Sequence, residues 1–293
     1  MRRLDKRRRS DVLRLGFAVR RFARDRDVVV AFQTYAGVLC LLGAVSTPWV
    51  LVVGDVPAFH WRDPRVRGGM PQWLIQRAFR RAAAASVPGR GLADSYRALG
   101  VGARRWATVP NMVGDEAFVE GGAERSGALF VGRLVSEKGP LLAVEAAAAA
   151  GMPLTIHGIG PLAPEIERLA AELGADVELA GFTTNLPEAY GRHRVLLNSS
   201  QVESFGNVIV ESLAARTPVV AGDCDFGPRE ILRGARFSRV VPRSAPELAA
   251  GLREVVARPR GDDEAAECLA IAERYAPGAV SPEIEELLAA VAG

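Results

Sequence analysis

Short apolar runs alternate with amphipathic stretches along nearly the whole chain. This is the pattern of parallel α/β sheets, whose strands are buried on both faces and whose helices are apolar on one. In the first part, residues 28–32 and 49–53 read as strands with a helix over 37–44 between them. A loop over 57–72 rich in Pro, Gly, Arg and Asp follows, then a helix over 72–84, a strand over 85–88, a helix over 91–99 and a strand over 107–109. Pro110, Asn111, Gly114, Gly121 and Gly122 break the period and predict a linker between domains.

The second part restarts more regularly. Strands are predicted at 128–131, 153–157, 177–179, 194–198, 218–221 and 239–241, and helices at 140–150, 163–173, 186–190, 207–215, 246–257 and 263–275. That alternation describes a doubly wound domain. Alanines 146–150 read as the end of a helix, alanine being the best helix former. After Pro277 and Pro282 a last helix over 283–291 sets Ile284, Leu287, Leu288 and Val291 at helical spacing, able to pack back on the first part.

With 293 residues and 49% hydrophobic composition the chain can bury real cores, which excludes disordered and disulfide-stapled scaffolds. Cys40, Cys224 and Cys268 lie far apart, form no CxxC pair and leave an odd thiol, as expected of a reducing, cytoplasmic compartment. No apolar stretch reaches the length of a membrane span.

Charge is unevenly placed. The net value is only +3, yet residues 1–27 hold eleven arginines and lysines against four aspartates. Val12, Leu15, Val19, Phe22 and Ala23 recur there at helical spacing, giving a basic amphipathic helix. It either packs on a sheet with its basic side in water or, through basic residues 2–26, touches the anionic inner face of a membrane. No nucleic-acid motif accompanies it.

Only two lysines occur, Lys6 and Lys138, so Lys138 stands out as a compact ammonium in an arginine-rich chain. A predicted strand delivers Gly132 and Arg133 to its carboxyl end, and Lys138 follows near the next helix; the two cations suit a diphosphate, or are a surface pair. Downstream, Glu203-Ser204-Phe205-Gly206-Asn207-Val208-Ile209-Val210-Glu211 opens a helix, with Gly206 permitting close backbone approach to an anion. The alternative is that Glu203 merely caps the helix and Glu211 is solvated.

Taken together, Gly132-Arg133, Glu137-Lys138-Gly139, His157-Gly158-x-Gly160-Pro161, Glu203-x7-Glu211 and Phe226-Gly227-Pro228-Arg229-Glu230 resemble the donor half of glycosyltransferase family 4, retaining enzymes of the GT-B fold. The resemblance implies two Rossmann-like doubly wound domains facing across a cleft. These would be a shortened acceptor-side domain over 1–112, a linker over 113–126, a donor-binding domain over 127–276, and 277–293 returning to the first.

It further implies that Arg133 and Lys138 grip the donor diphosphate and that Glu203 meets the hydroxyls of the transferred sugar. Phe205, Gly206 and Asn207 would line that sugar through main chain, Gly132 and Val208 would also belong to the donor site, and Glu211 would hold the ribose. Gly158 and Gly160 would approach the nucleotide, with Phe182 near the base. The donor would be a UDP- or GDP-linked sugar, the acceptor a hydroxyl on a cell-envelope glycan, glycolipid or natural product, and the place of synthesis the cytoplasm.

Two departures from the family pattern matter. The first half lacks an opening strand and glycine-rich loop, so a partner chain completing the acceptor half, or a non-catalytic nucleotide-sugar-binding protein, is the alternative reading. Gly54 also stands where the family has a histidine, leaving Asp55 or His60 as acceptor-side candidates. His157 is divided between a structural and a donor-site role, and His193 reads as a turn residue. Asp223-Cys224-Asp225 reads as a turn and cap, with no metal required. The chain has no GxxxxGK[ST], post-strand GxGxxG or GxSxG, which argues against kinases, dehydrogenases and serine hydrolases.

Overall fold

Valine, tryptophan, leucine and alanine build the four strands of the first sheet: β1 (Val29–Phe32), β2 (Trp49–Val52), β3 (Ala84–Val87) and β4 (Trp106–Thr108). They run parallel in the order β1-β2-β3-β4, each joined to the next through a helix. The computed structural model describes residues 9–57, 71–120, 125–259 and 261–293. It divides into two compact units, one of residues up to Pro110 with Ser281–Gly293, the other Asn111–Val280.

In the first unit α1 (Arg9–Ala23) precedes the sheet, and α2 (Gln33–Leu42), α3 (Gln72–Arg81) and α4 (Arg90–Ala98) connect its strands. The strand period of two divides β2 between two layers. Trp49 and Leu51 lie against Gly37 of α2, while Val50 packs with Ala84 and Leu287 on the other side. Phe79, Tyr96 and Trp106 form a ring triad at centroid distances of 5.1 to 5.8 Å, joining α3 and α4 to β4. Phe79 and Tyr96 are fully buried and Trp106 partly so; full burial of a large apolar side chain contributes about 1.5–3 kcal/mol.

The second unit holds a six-stranded parallel sheet ordered β12-β10-β8-β5-β6-β7. Its strands are β5 (Ser126–Val131), β6 (Leu154–His157), β7 (Val177–Gly181), β8 (His193–Asn198), β10 (Val219–Gly222) and β12 (Arg239–Val241). Order runs outward one way through β6 and β7 and the other way through β8, β10 and β12. The reversal opens a crevice beyond the carboxyl ends of β5 and β8, the place where open α/β sheets bind ligands.

Alternation along β5 and β8 serves both faces. Ala128, Phe130, Val195 and Leu197 meet α5 (Pro140–Ala150), α6 (Ala163–Leu173) and α10 (Ala245–Ala257). Leu129 and Leu196 meet the opposite layer of α7 (Leu186–Arg192), α8 (Asn207–Ala214) and α11 (Asp262–Ala272).

Some elements differ from the sequence reading. Val113 and Ala117, in the stretch read as a linker, are buried in the second unit's core, with a 3₁₀ turn over Asp115–Ala117. His193 opens β8 rather than forming a turn. The last helix, α12 (Pro277–Ala292), begins six residues before its expected start and runs through Pro282. Pro277 stands at its first position, where a missing N–H costs nothing, while Pro282, inside the helix, forgoes the bond to the carbonyl four residues earlier. Two short strands escaped the periodicity altogether: β9 (Val202–Glu203) pairs in parallel with β11 (Asp225–Phe226). Asp225 is thereby a strand residue and Asp223 is engaged by Arg229 of α9 (Gly227–Ile231), so neither caps a helix.

The Arg194 guanidinium is 9% exposed and donates to both oxygens of Glu264, 2% exposed, at 2.8 and 3.2 Å, and to the Arg258 carbonyl at 2.9 Å. Arg194→Ala leaves a buried carboxylate without its countercharge and is expected to cost about 3–5 kcal/mol in urea denaturation. The double variant Arg194→Met/Glu264→Leu should recover most of that loss; equal loss in both would refute the ion-pair account.

Candidate active site

Two loops meet beyond the sheet's central strands. The loop after β5 closes in a 3₁₀ turn, Ser136–Lys138, and Gly139 follows with φ 66°. A left-handed residue is needed there, and a Cβ would collide with the Ser199 carbonyl from the loop after β8. Ser199 Oγ in turn donates to the Gly139 carbonyl at 2.8 Å, and Gln201 N–H to the Glu137 carbonyl at 2.8 Å. These bonds fix Lys138 opposite Glu203.

Lys138 Nζ donates to Glu203 Oε1 at 2.6 Å. The same oxygen accepts from Ser200 Oγ at 2.8 Å and lies 3.5 Å from Asn198 Nδ2. Glu203 is buried, and its strand β9 is held by β11, where Phe226 has φ 78° and Gly227 packs on the Phe205 carbonyl with no room for a Cβ. A bulky residue at positive φ stores local strain that the surrounding backbone pairing must offset. Beside it the Cys224 thiol is pushed up to about 12, first by burial and then by the Glu203 charge, so it stays protonated and unreactive at neutral pH.

Arg133 reaches solvent and leans on Glu137 of its own loop at 3.3 Å, an exposed pair of little energetic weight. Gly132 donates its N–H to the His157 carbonyl at 3.0 Å. The room that Gly158 and Gly160 create is taken by the carbonyls of Gly132 and Leu134, so these glycines first of all stack two loops. His157, at the end of β6, has its Nδ1 3.4 Å from the carbonyl of Gly181, the last residue of β7. Phe182, just past β7, is 72% exposed, a free aromatic face at the rim.

The helix α8 starts after Gly206, φ 104°, and directs its first N–H groups back toward the crevice. Phe205 is a core residue, edge-on to Tyr275 at 5.3 Å, and can offer only main chain to a ligand, while Val208 is partly buried against the same core. Asn207 is exposed and its Oδ1 accepts from Asn111 Nδ2 at 2.9 Å.

Glu211 sits in the second turn of α8 and is engaged by Tyr190, whose hydroxyl donates to Oε2 at 2.8 Å. Burial raises the Glu211 pKa above the ordinary carboxylate value, the Tyr190 bond pulls it back, and the Glu116 charge raises it further. Tyr190 is itself buried, with its pKa driven well up by burial and then by Glu211. His193 is shifted the other way: burial lowers its pKa, while Nδ1 donates to the Ala189 carbonyl at 2.6 Å.

Of the sequence-derived candidates, the structure therefore brings Lys138 and Glu203 into direct contact, whereas Arg133 and Glu211 hold other partners. Asp55 is in the first unit, half-buried past β2, and its backbone carbonyl accepts from the Tyr96 hydroxyl at 3.0 Å. A Cβ on Gly54 would meet nothing within 4 Å. His60 lies outside the described residues. Asn198, Ser200 and Tyr190 were not anticipated; the Asn-Ser-Ser run ending a predicted strand was a usable signal, while Tyr190 carried none. Among the described residues no three His, Cys, Asp or Glu side chains converge as a metal cage.

Known proteins resemble this chain in sequence and fold. A family model described as Glycosyl transferases group 1 matches residues 125–258. An exopolysaccharide phosphotransferase of Streptomyces coelicolor is 30% identical over 253 residues, covering 84% of this chain and 26% of that protein. A D-inositol 3-phosphate glycosyltransferase of Geodermatophilus obscurus is 33% identical over 240 residues, 71% of this chain and 51% of its own. The chain thus spans between about a quarter and a half of these relatives' lengths.

Among solved structures, sucrose-phosphate synthase of Thermosynechococcus elongatus superposes with TM-score 0.81 at 17% identity, covering 97% of this chain and 80% of that one. Anabaena HepE in complex with UDP superposes with TM-score 0.78 at 18% identity, covering 94% and 82%. The chain has the GT-B fold, and its segment 125–258 matches the model of the group 1 glycosyl transferases.

Proposed function

We propose that the protein is a retaining glycosyltransferase that moves a hexose-type residue from a UDP- or GDP-linked sugar to an acceptor hydroxyl of a cell-envelope glycan, glycolipid or natural product. The observation that carries this reading is the Lys138–Glu203 contact at the switch point of a group 1 glycosyl transferase domain. HepE, of the same fold, binds UDP and UDP-glucose.

In the reaction the bond from the sugar's anomeric carbon to the diphosphate breaks, and a new bond forms from that carbon to the acceptor oxygen on the same face. The acceptor proton passes to the departing diphosphate oxygen, giving a glycoside and a nucleoside diphosphate. Lys138 has three donors, one of them spent on Glu203, so two remain for the leaving group. Arg133 gives up a weak exposed pair to add a second cation. Such preset charge stabilises the transition state more than the ground state. Glu203, with one oxygen already held by Lys138 and Ser200, can bind sugar hydroxyls through the other. Glu211, oriented by Tyr190 through Oε2, keeps Oε1 for the ribose. The cations make a metal ion unnecessary in this reading, and Asp223 is occupied by Arg229.

The open space at Gly54 favours a second reading, donor binding without transfer or transfer only with a partner chain, since no side chain at that position can reach an acceptor. Donor binding and donor hydrolysis measured separately distinguish them. Among the described residues no helix is long and apolar enough to cross a membrane, and contact with the cytoplasmic membrane face is proposed to be peripheral, through basic residues 2–26.

Lys138→Ala is expected to slow transfer roughly a hundredfold or more while changing nucleotide affinity only a few-fold, in steady-state kinetics set beside calorimetry. Equal effects on both would remove Lys138 from the transition state. Glu211→Gln should weaken nucleoside diphosphate binding roughly tenfold by loss of charge-assisted hydrogen bonds. Because burial raises the Glu211 pKa, its ionised form costs stability at neutral pH. The Gln variant should therefore melt higher at pH 7, and its advantage should fade as the pH falls through the raised pKa. A lower melting temperature at pH 7 would contradict this. Treatment with EDTA should leave the transfer rate unchanged, and a loss restored by magnesium would overturn metal independence.

A further inference from the structure

The helical layer of the first unit presents an outward face that the glycosyl-transfer reading does not use. Helix α2 lies between α1 and α3, with Gly16 of α1 set so closely on Gly43 that neither has room for a Cβ. The stretches 13–24, 33–46 and 71–81 that build this layer contain seven arginines and no acidic residue.

On α3, Arg77, Arg80 and Arg81 are exposed, and their guanidinium groups make no ion pair among the described residues. With Trp73, itself 63% exposed, they line a cavity of about 650 Å³ whose opposite wall is Cys40, Ala44 and Val45 at the end of α2. On α1, Leu13 and Phe17 are 54% and 65% exposed, one turn apart, and Arg14 and Arg21 are exposed beside them.

Exposed aromatic and aliphatic side chains interleaved with exposed arginines are the composition of an interfacial surface. The rings enter the headgroup region, and the guanidinium forks take lipid phosphates bidentately. We propose that the α2–α3 groove is a phosphoryl-headgroup site, and that with the exposed face of α1 it docks this unit on an anionic lipid bilayer, Trp73 seated at the headgroup level. The occupant follows from charge complementarity: helical stretches with seven arginines and no acidic residue attract an anionic sheet, and each cation adds to the attraction within a Debye length. A neutral protein partner would leave these charges buried without a countercharge. The inference rests on the peripheral contact proposed for residues 2–26 and adds a second helix and a defined groove to it.

The test is flotation of the full chain with vesicles of phosphatidylcholine alone and of phosphatidylcholine containing one third phosphatidylglycerol. Binding is expected only to the anionic vesicles, with a blue shift of tryptophan emission that Trp73→Phe abolishes, and release in about 0.5 M salt. Arg77→Glu/Arg81→Glu should lower vesicle affinity roughly tenfold or more without altering calorimetric nucleotide binding by the second unit. Arg77→Gln/Arg81→Gln, the milder pair, should lower it less.

If Arg14→Glu/Arg21→Glu abolishes flotation while the α3 variants float normally, the groove assignment falls and the contact through residues 2–26 stands. If no variant changes flotation, both the groove and the α1 face lose their assignment; if the chain ignores anionic vesicles but is retained by duplex DNA, the membrane reading fails as a whole. Loss of nucleotide binding with flotation intact would instead count against the transferase reading alone.

Discussion

A buried carboxylate held against an ammonium is the constraint around which the second unit is arranged. Glu203 could not be buried without compensation, because desolvating a carboxylate costs several kcal/mol. Lys138, Ser200 and Asn198 supply that compensation from two different loops. Holding those loops together requires the left-handed Gly139, the Ser199 bond to its carbonyl, and the β9–β11 pairing with its strained Phe226. The central sheet reverses its winding at this point, so the strand ends splay apart and leave a crevice instead of a packed layer.

The two acidic positions of the Glu203-x7-Glu211 pattern end up in contrasting environments. One is neutralised by a cation and presents a locally balanced pair. The other is raised in pKa by burial and steadied by the neutral donor Tyr190. In the proposed reaction this suits a division of labour, with charge compensation at the diphosphate and sugar and hydrogen bonding at the ribose. A raised carboxylate pKa is a stability cost of the kind that accumulates at binding sites and is rare elsewhere. The Arg194–Glu264 pair, by contrast, is fully compensated and fixes α11 to the sheet.

The first unit solves a different problem. Its sheet is covered by α2 on one face and by Leu287 and its neighbours of α12 on the other, so the chain's last residues complete its core. Its helical layer leaves arginines and aromatic rings facing outward with no acidic residue in those stretches, the surface on which the proposed docking rests.

Much of this was legible in the residues themselves. Alternating apolar runs, glycine and proline breaks and alanine-rich helices located nearly every strand and helix, because burial on both faces of a parallel sheet demands continuous apolar strands. Lys138, Glu203 and Glu211 were legible because unusual residue types fell at strand-to-helix junctions. Tertiary structure alone decided which groups those residues touch. Lys138 and Glu203 are 65 residues apart, and only the strand order β5 beside β8 makes them neighbours. Tyr190 joined Glu211 because α7 and α8 share one face of the sheet, Pro282 was absorbed into a continuous helix despite its missing N–H, and β9 and β11 formed through pairing rather than periodicity. Local pattern records which face a side chain must bury; partners distant in sequence are set by sheet order and loop register, which no single segment encodes.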